Sequence, residues 1–264
     1  MNRMLIFAYG IVAYLVFLGS FVYAIGFVGG FVVPKTIDSG PETAAATAIL
    51  TDVILLSLFA VQHSVMARPF FKRWWTTVIS PAAERSTYVL ASSLLLFLLF
   101  WQWRPLPGTV WSVTQPMPAA VFWTLFGVGW LIVLASTFLI NHFDLFGLRQ
   151  VYLHLAGQPY TPIPFQTPWL YRIVRHPIMV GFLMAFWVTP TMSQGHLLFA
   201  IVVTAYVLVA LQLEERDLLA YHGEEYSAYQ RQVRMLMPAP ARTNGRPSYS
   251  ITSRFRVKLV SSCR

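Results

Sequence analysis

The sequence predicts an all-α integral membrane protein with five to six transmembrane helices, the last two a hairpin, and a cytoplasmic C-terminal helix after them. Three observations predict it. Of 264 residues, 56% are apolar and only 11% charged, against about 25% charged in a soluble globular chain. Long stretches hold no charge at all, and the 19 Lys and Arg residues gather in alternate loops. This excludes a soluble enzyme, a secreted disulfide scaffold and a disordered polar chain. The single cysteine, Cys263, can close no intramolecular disulfide and anchor no zinc cluster. The net charge of +9 flanks apolar runs instead of forming one stripe, which suits a membrane surface and not a nucleic acid.

A spanning helix needs about 20 mostly apolar residues. Leu5 to Val33 is uncharged and supplies the first span. It is roughly twice the length of a signal-peptide apolar region, so a retained helix is expected. Thr43 to Met66 gives the second, with Asp52 as its one charge, Ser86 to Trp103 the third and Ala119 to Ile140 the fourth. Pro177 to Met192 and Leu197 to Leu213 follow, with Ser193-Gln194-Gly195 as the expected hairpin tip. The last apolar run is expected to end at Glu214-Glu215-Arg216-Asp217, before a polar helix from Leu218 to Leu236.

Orientation follows from the basic residues. Segments 34–44 and 104–120 hold only Lys35 and Arg104, whereas 67–85 holds Arg68, Lys72, Arg73 and Arg85. Segment 141–176 holds Arg149, Arg172 and Arg175, and nine more lie from residue 214 onward. The positive-inside bias therefore puts both termini in the cytoplasm. Trp74-Trp75, Trp101-Trp103-Trp111 and Trp169-Tyr171 are expected in the interfacial belts. One unit, 1–237, is expected, with N-terminal spans in 5–140 and a ligand-binding part in 141–237. From 238 to 264 the chain reads as a disordered basic tail, with Arg254, Arg256 and Lys258 near anionic headgroups. Oligomeric state is left open.

Polar chemistry enters at 150–238. A connector punctuated by Pro159, Pro162, Pro164 and Pro168 leads to Tyr171-Arg172-Ile173-Val174-Arg175-His176-Pro177. Pro177 suits the first turn of a helix, whose unpaired N–H groups attract a carboxylate. Glu214 and Glu215 stand at the other foot of the same hairpin. Donors at one foot and acceptors at the other suit a zwitterionic ligand, and S-adenosylmethionine fits that description. Phe165, Trp169 and Tyr171 offer aromatic faces for its adenine or sulfonium.

Arg175-His176-Pro177-x-x-x-Gly181, Glu214-Glu215-x-x-Leu218, Gly223-x-x-Tyr226-x-x-Tyr229 and Pro238 together resemble the isoprenylcysteine carboxyl methyltransferase superfamily. Its members are integral membrane enzymes that use S-adenosylmethionine. The resemblance implies cofactor contacts at Tyr171, His176, Pro177 and Glu214, with Ile163 to Gln166 as a connector strand beside the cofactor. Gln158, Gln166, Arg175, Gly181, Glu215, Tyr226 and Tyr229 complete the implied cofactor set, Glu215 because a one-position slip would give it the role of Glu214. Two departures stand out. Met179 replaces a Tyr usual in that superfamily. Ala210 stands where prenylcysteine enzymes carry an Arg that meets the substrate carboxylate, so a smaller, less anionic acceptor is implied.

Further upstream, Gln62-His63-Ser64-Val65-Met66-Ala67-Arg68-Pro69, Glu84-Arg85-Ser86-Thr87-Tyr88, Trp101-Gln102-Trp103-Arg104-Pro105 and Asn141-His142-Phe143-Asp144-Leu145-Phe146-Gly147 resemble the bacterial membrane methanethiol S-methyltransferase family, with NnrU-like relatives. That implies methanethiol as the small thiol substrate, dimethyl sulfide as product and a bacterial inner membrane as the location. The alternatives are another small thiol or lipid acceptor, or a non-catalytic NnrU-like membrane protein. A free thiol ionises near or above about 8.5, so a base helps. His63 and His142, at cytoplasmic span ends, are the candidates, with Asp144 and Arg68 as orienters. Such a displacement calls for no metal. A small, soft acceptor suits an apolar, Met-containing lining around Ile178 to Met184.

Overall fold

The computed structural model describes residues 2–238, and among these five helices are long and apolar enough to cross a bilayer. α1 (Arg3–Gly29) starts at Asn2, whose side chain accepts the Met4 N–H, and stops at Gly30, which takes a left-handed φ of 74°. α2 (Ala45–Ala67) is followed at once by α3 (Pro69–Trp75), whose Pro69 occupies the first helical turn. α4 (Glu84–Gln102), the strand β1 (Thr109–Ser112) and α5 (Pro116–Ile140) come next. Two short helices, α6 (His142–Leu145) and α7 (Leu148–Leu155), lead into the connector. Then come α8 (Pro177–Trp187), β2 (Thr191–Ser193), α9 (Gln194–His222) and α10 (Glu224–Gln232).

The spans match the expected segments, but the terminal pair is unequal. α8 has 11 residues, a length of about 16 Å, which is half of a bilayer's roughly 30 Å core. It therefore does not make a sixth full span. α9 has 29 residues and extends about 44 Å, so it outruns the hydrocarbon. The expected break at Glu214 to Asp217 is absent, because Glu, Arg and Leu are good helix formers. The helix continues to His222 and turns at Gly223, at φ 57° and ψ −127°, a region open essentially to glycine. Consequently the polar helix is only Glu224–Gln232 and not 218–236.

Other expectations are corrected in the same way. Ser193-Gln194-Gly195 is not a bare turn: Ser193 ends β2 and caps α9, accepting the His196 N–H. β2 pairs antiparallel with β1. Residues 158–168 form no connector strand, since their four prolines donate nothing to a ladder. Trp74, Trp101 and Trp169 are exposed as a belt requires, but Trp103 is fully buried and donates its indole N–H to Ile37 O at 2.9 Å. Of the predicted tail, all but Pro238 lies outside the described residues.

α8 packs chiefly on α5, while α4 is flanked by α1 and α2, and α2 also meets α9. The α5–α8 contact rests on two glycines. A Cβ on Gly181 would lie 2.6 Å from Gly129 O, and one on Gly129 would lie 2.8 Å from Gly181 O. Around this contact an aromatic core gathers Phe27, Phe100, Trp103, Trp130, Phe186 and Phe199. α8 is thereby held rigidly, with its first turn at the basic end of the bundle.

Candidate active site

Pro177 begins α8 and is buried. The residues just before it are held by the returning chain: after α10, Val233 to Met235 runs alongside 174–176. There the Arg175 N–H donates to Arg234 O at 2.9 Å and the His176 N–H to Met235 O at 3.2 Å. The Arg175 guanidinium sends Nε and Nη2 to the two oxygens of Glu215, at 2.6 and 2.9 Å. Its Nη1 reaches Gln230 O and Val233 O at the end of α10. Such a fork suits a carboxylate bidentately and also satisfies terminal helix carbonyls. A carboxylate only accepts, so His176 Nε2–H donates to Glu215 Oε1 at 3.0 Å. Gln230 supplies a fourth donor to Glu215 at 3.1 Å. Arg175, His176 and Glu215 thus form a saturated hub that locks α8, α9 and α10 together.

Glu214 is different. Its side chain is 48% exposed, and its nearest ion-pair partner is His176 Nδ1 at 3.9 Å. Its charge acts on four tyrosines, Tyr88, Tyr171, Tyr206 and Tyr226, so it stands where the basic ends of α4, α9 and α10 converge with the 169–172 turn. Tyr226 is 1% exposed, yet its hydroxyl has no hydrogen-bond partner among the described residues. Burial, with the Glu215 charge behind it, pushes that phenol well above its usual range. Tyr171 is raised by burial and by Glu214, and Tyr229 is pushed up to about 12, chiefly by burial. All three phenols are therefore neutral donors at neutral pH. Tyr229 donates to Tyr171 O at 2.5 Å, and Tyr171 to Ser136 O at 3.4 Å. Phe165 lies against His222, Tyr226 and Tyr229, with ring centroids 5.0 to 5.9 Å apart.

The two candidate histidines part company. Thr137 gives its hydroxyl proton to Leu134 O at 2.7 Å, so it must accept from His142 Nδ1–H at 2.8 Å. Nε2 is then the acceptor for the Tyr14 hydroxyl at 2.8 Å. The ring also stacks on Phe138 at 4.2 Å and is 4% exposed. Burial lowers its pKa. His142 is thus a fully bonded strut, with neither ring nitrogen open to a substrate. Asp144 does not orient it either: its carboxylate pairs with Arg149 at 3.0 Å and accepts from Tyr160 at 3.2 Å.

His63 sits where α2 meets α4. Ser92 donates to Gln62 Oε1 at 3.2 Å, so Ser92 Oγ accepts from His63 Nδ1–H, also at 3.2 Å. Nε2 is left to accept from the Tyr88 hydroxyl, which lies 2.8 Å from it and 3.0 Å from Nδ1. Arg68 does not orient His63; it reaches across to Asp217 on α9 at 2.8 Å. Beside it, Ser64 donates to the Tyr206 hydroxyl at 3.3 Å.

Three cofactor candidates fall outside this convergence. Gly181 is buried against α5 and serves packing, because the helices approach too closely for any side chain there. Gln158 is exposed, and its backbone N–H closes the turn after α7 on Leu153 O. Gln166, also exposed, reaches only Ile140 O, at 3.4 Å. Sequence reasoning passed over Ser92, Tyr206 and Gln230, and Tyr88 enters it only as the last residue of the Glu84 to Tyr88 segment, with no role attached. Tyr88 and Ser92 are four residues apart and so share one helical face, a spacing that marks them as joint partners of a single group.

The fold and this convergence define a multi-pass helical membrane protein with a polar, ion-paired site at one end of its bundle. Methanethiol S-methyltransferase of Mycobacterium tuberculosis is 58% identical over 242 residues, 92% of this chain and 99% of that protein. Methanethiol S-methyltransferase of Crocosphaera subtropica is 54% identical over 238 residues, 90% and 93% of the two chains. Nurim of Bos taurus is 33% identical over 179 residues, 64% and 68% of the two. No family model matches the chain, and no solved structure does. The chain belongs to the methanethiol S-methyltransferase family.

Proposed function

We propose that this protein methylates methanethiol to dimethyl sulfide, with S-adenosylmethionine as donor. In this reading residues 1–237 are the working unit, embedded in a bacterial inner membrane with the basic end and both termini cytoplasmic. The kinship with proteins of that name supports the acceptor. The observation that carries the donor is the contrast between neighbouring carboxylates: Glu215 is saturated by Arg175, His176 and Gln230, whereas Glu214 is half exposed beside them.

The residues fit such a donor. Glu214 would accept its ammonium or ribose hydroxyls, the unpartnered Tyr226 hydroxyl would donate to it, and Phe165 with Tyr171 would offer faces to its adenine. When bound, the donor supplies an electrophilic methyl carbon on a sulfonium, and transfer leaves the bonding pair on that sulfur and releases one proton. Transfer of this kind is mostly a matter of alignment. His176 and Arg175, through Glu215, fix the foot of α8 against α9 and so set the position of Glu214. The absence of a cation at Ala210 suits a neutral acceptor.

Membranes holding the protein, given methyl-labelled S-adenosylmethionine and a panel of thiols, test the reading. Labelled dimethyl sulfide in the headspace, dependent on methanethiol, is expected. Labelled product from a different thiol or a lipid alone would reassign the acceptor. If calorimetry on purified protein shows no binding of the donor or of S-adenosylhomocysteine, the enzymatic reading falls.

A further inference from the structure

Resting on that reading, we infer that the Tyr88 hydroxyl is the group that takes the thiol proton, and that His63 acts only through it. Neither ring nitrogen of His63 is free to meet a substrate. Nδ1–H faces Ser92, whose own proton goes to Gln62, and the Tyr88 hydroxyl lies across the ring's nitrogen edge, 2.8 Å from Nε2, to which it donates, and 3.0 Å from Nδ1. A thiol in this region therefore meets Tyr88, whose oxygen donates only to His63 and keeps lone-pair capacity to accept.

The order of the chain gives the direction of proton flow. Gln62 and Ser92 fix the His63 tautomer, and the tautomer makes Nε2 the terminal acceptor. Tyr88 alone would be a poor base, since a phenol ordinarily ionises near 10 and a free phenolate would be costly among buried neighbours. The chain removes that difficulty. As the S–H bond breaks, its proton passes to Tyr88 Oη while the Tyr88 proton passes to His63 Nε2. Tyrosine ends as a neutral phenol, His63 as imidazolium, and the sulfur keeps the bonding pair. The imidazolium proton later leaves by the same route to water.

The charged and titratable groups around this pair come from each packed element. Arg85 lies on α4, Arg68 at the end of α2, and Tyr206 and Glu214 on α9. Tyr88 and the half-exposed carboxylate Glu214 thus belong to one electrostatic neighbourhood, which links the proton path to the proposed donor site. Phe59, stacked on His63 at 5.1 Å, and Met66, whose sulfur accepts from Gln62 Nε2 at 3.0 Å, give the region an apolar, soft wall.

Tyr88→Phe and His63→Gln in the full-length protein test the relay. Each is expected to cut kcat at least tenfold at neutral pH, with calorimetric affinity for S-adenosylhomocysteine within twofold of wild type. The double variant is expected to be no worse than either single one, because the two residues act as a unit. Raising the pH should restore much of the lost rate, as solution base then forms the thiolate. Independently of turnover, ring-nitrogen NMR of the donor-free protein should show His63 neutral with its proton on Nδ1. In Tyr88→Phe the Nε2 resonance should move while the other histidines hold still. A Tyr88→Phe protein with a rate within twofold and an unmoved pH profile overturns the relay. If His63→Gln alone loses activity, His63 meets the thiol directly and the relay is likewise overturned. Wild-type protein that forms no dimethyl sulfide would instead overturn the functional reading itself.

Discussion

At the end of the bundle away from the basic loops, the buried carboxylate of Asp52 accepts the backbone N–H of Arg104 at 2.9 Å. Its second oxygen has no hydrogen-bond partner among the described residues, but the charges of Lys35 and Arg104 act on the group. Asp38 meets the Ser193 hydroxyl, Lys35 meets Trp101 O, and the β1–β2 pair spans the same end. At the basic end the buried carboxylate of Glu215 is likewise consumed by neighbours, yet a second one, Glu214, stands beside it half exposed. The same residue types are used in both places. What differs is access: the spare oxygen of Asp52 is sealed in a fully buried side chain, while the basic end holds Glu214 half exposed beside a saturated hub. Hydrogen-bonding capacity that a ligand can reach, and not polarity as such, separates a site from a clasp.

Exchanging the two neighbouring acids gives the largest effect. Glu215→Ala leaves Arg175 and His176 without their partner, and losing one member of a buried pair costs about 3–5 kcal/mol. The protein should fail to accumulate in membranes, or melt far below wild type in detergent. Glu214→Gln should leave the melting temperature unchanged and weaken S-adenosylhomocysteine binding at least tenfold by calorimetry. If both variants are equally unstable, or both equally silent, the distinction between hub and open carboxylate is wrong.

Next comes the opposite end. Asp52→Ala removes a charge-assisted hydrogen bond to a buried backbone group, worth about 1.5–3 kcal/mol. The melting temperature should drop while the activity of the surviving folded protein stays within twofold. A selective loss of turnover would make that end part of the site. Gly181→Ala asks whether α8 must sit tightly on α5. The added methyl would meet Gly129 O at 2.6 Å, and overpacking of this kind costs about 1–3 kcal/mol. Because α8 carries His176 at its foot, donor-product affinity should fall together with stability.

The spans were legible because bilayer length imposes a long apolar run, and five such runs fall where composition alone put them. Orders of contact between distant elements were not. That Arg175, His176 and Glu215 would form a closed hub depends on the segment 233–235 returning beside 174–176, and nothing in its composition announces a parallel bridge. The break expected at Glu214 failed because a charge run in sequence resembles a helix end, whereas helix propensity and a protruding α9 let it continue to Gly223. The histidines show the limit most sharply. His63 and His142 read alike in sequence and share one bonding pattern, a hydroxyl on Nδ1–H and a tyrosine on Nε2. They part only in their surroundings, since the Tyr88 hydroxyl shares the field of Glu214 whereas the His142 ring packs among Phe138, Phe143 and Phe146.

The smallest effect concerns that strut. Burial holds the His142 pKa below its ordinary value of 6.5, so the folded state binds a proton less readily than the unfolded chain. The sign follows from linkage: the stabilisation is complete above about pH 6.5 and is lost as pH falls from there toward the lower folded-state value. His142→Gln keeps a donor for Thr137 and an acceptor for Tyr14 but cannot titrate in this range. Melting curves taken between pH 7.5 and pH 5 should therefore decline more steeply for wild type than for His142→Gln, while turnover at neutral pH stays within about threefold. Parallel melting profiles would mean that the ring contributes nothing through its protonation. A neutral-pH loss as deep as that of His63→Gln would return His142 to the chemistry, with Tyr14 standing to it as Tyr88 stands to His63.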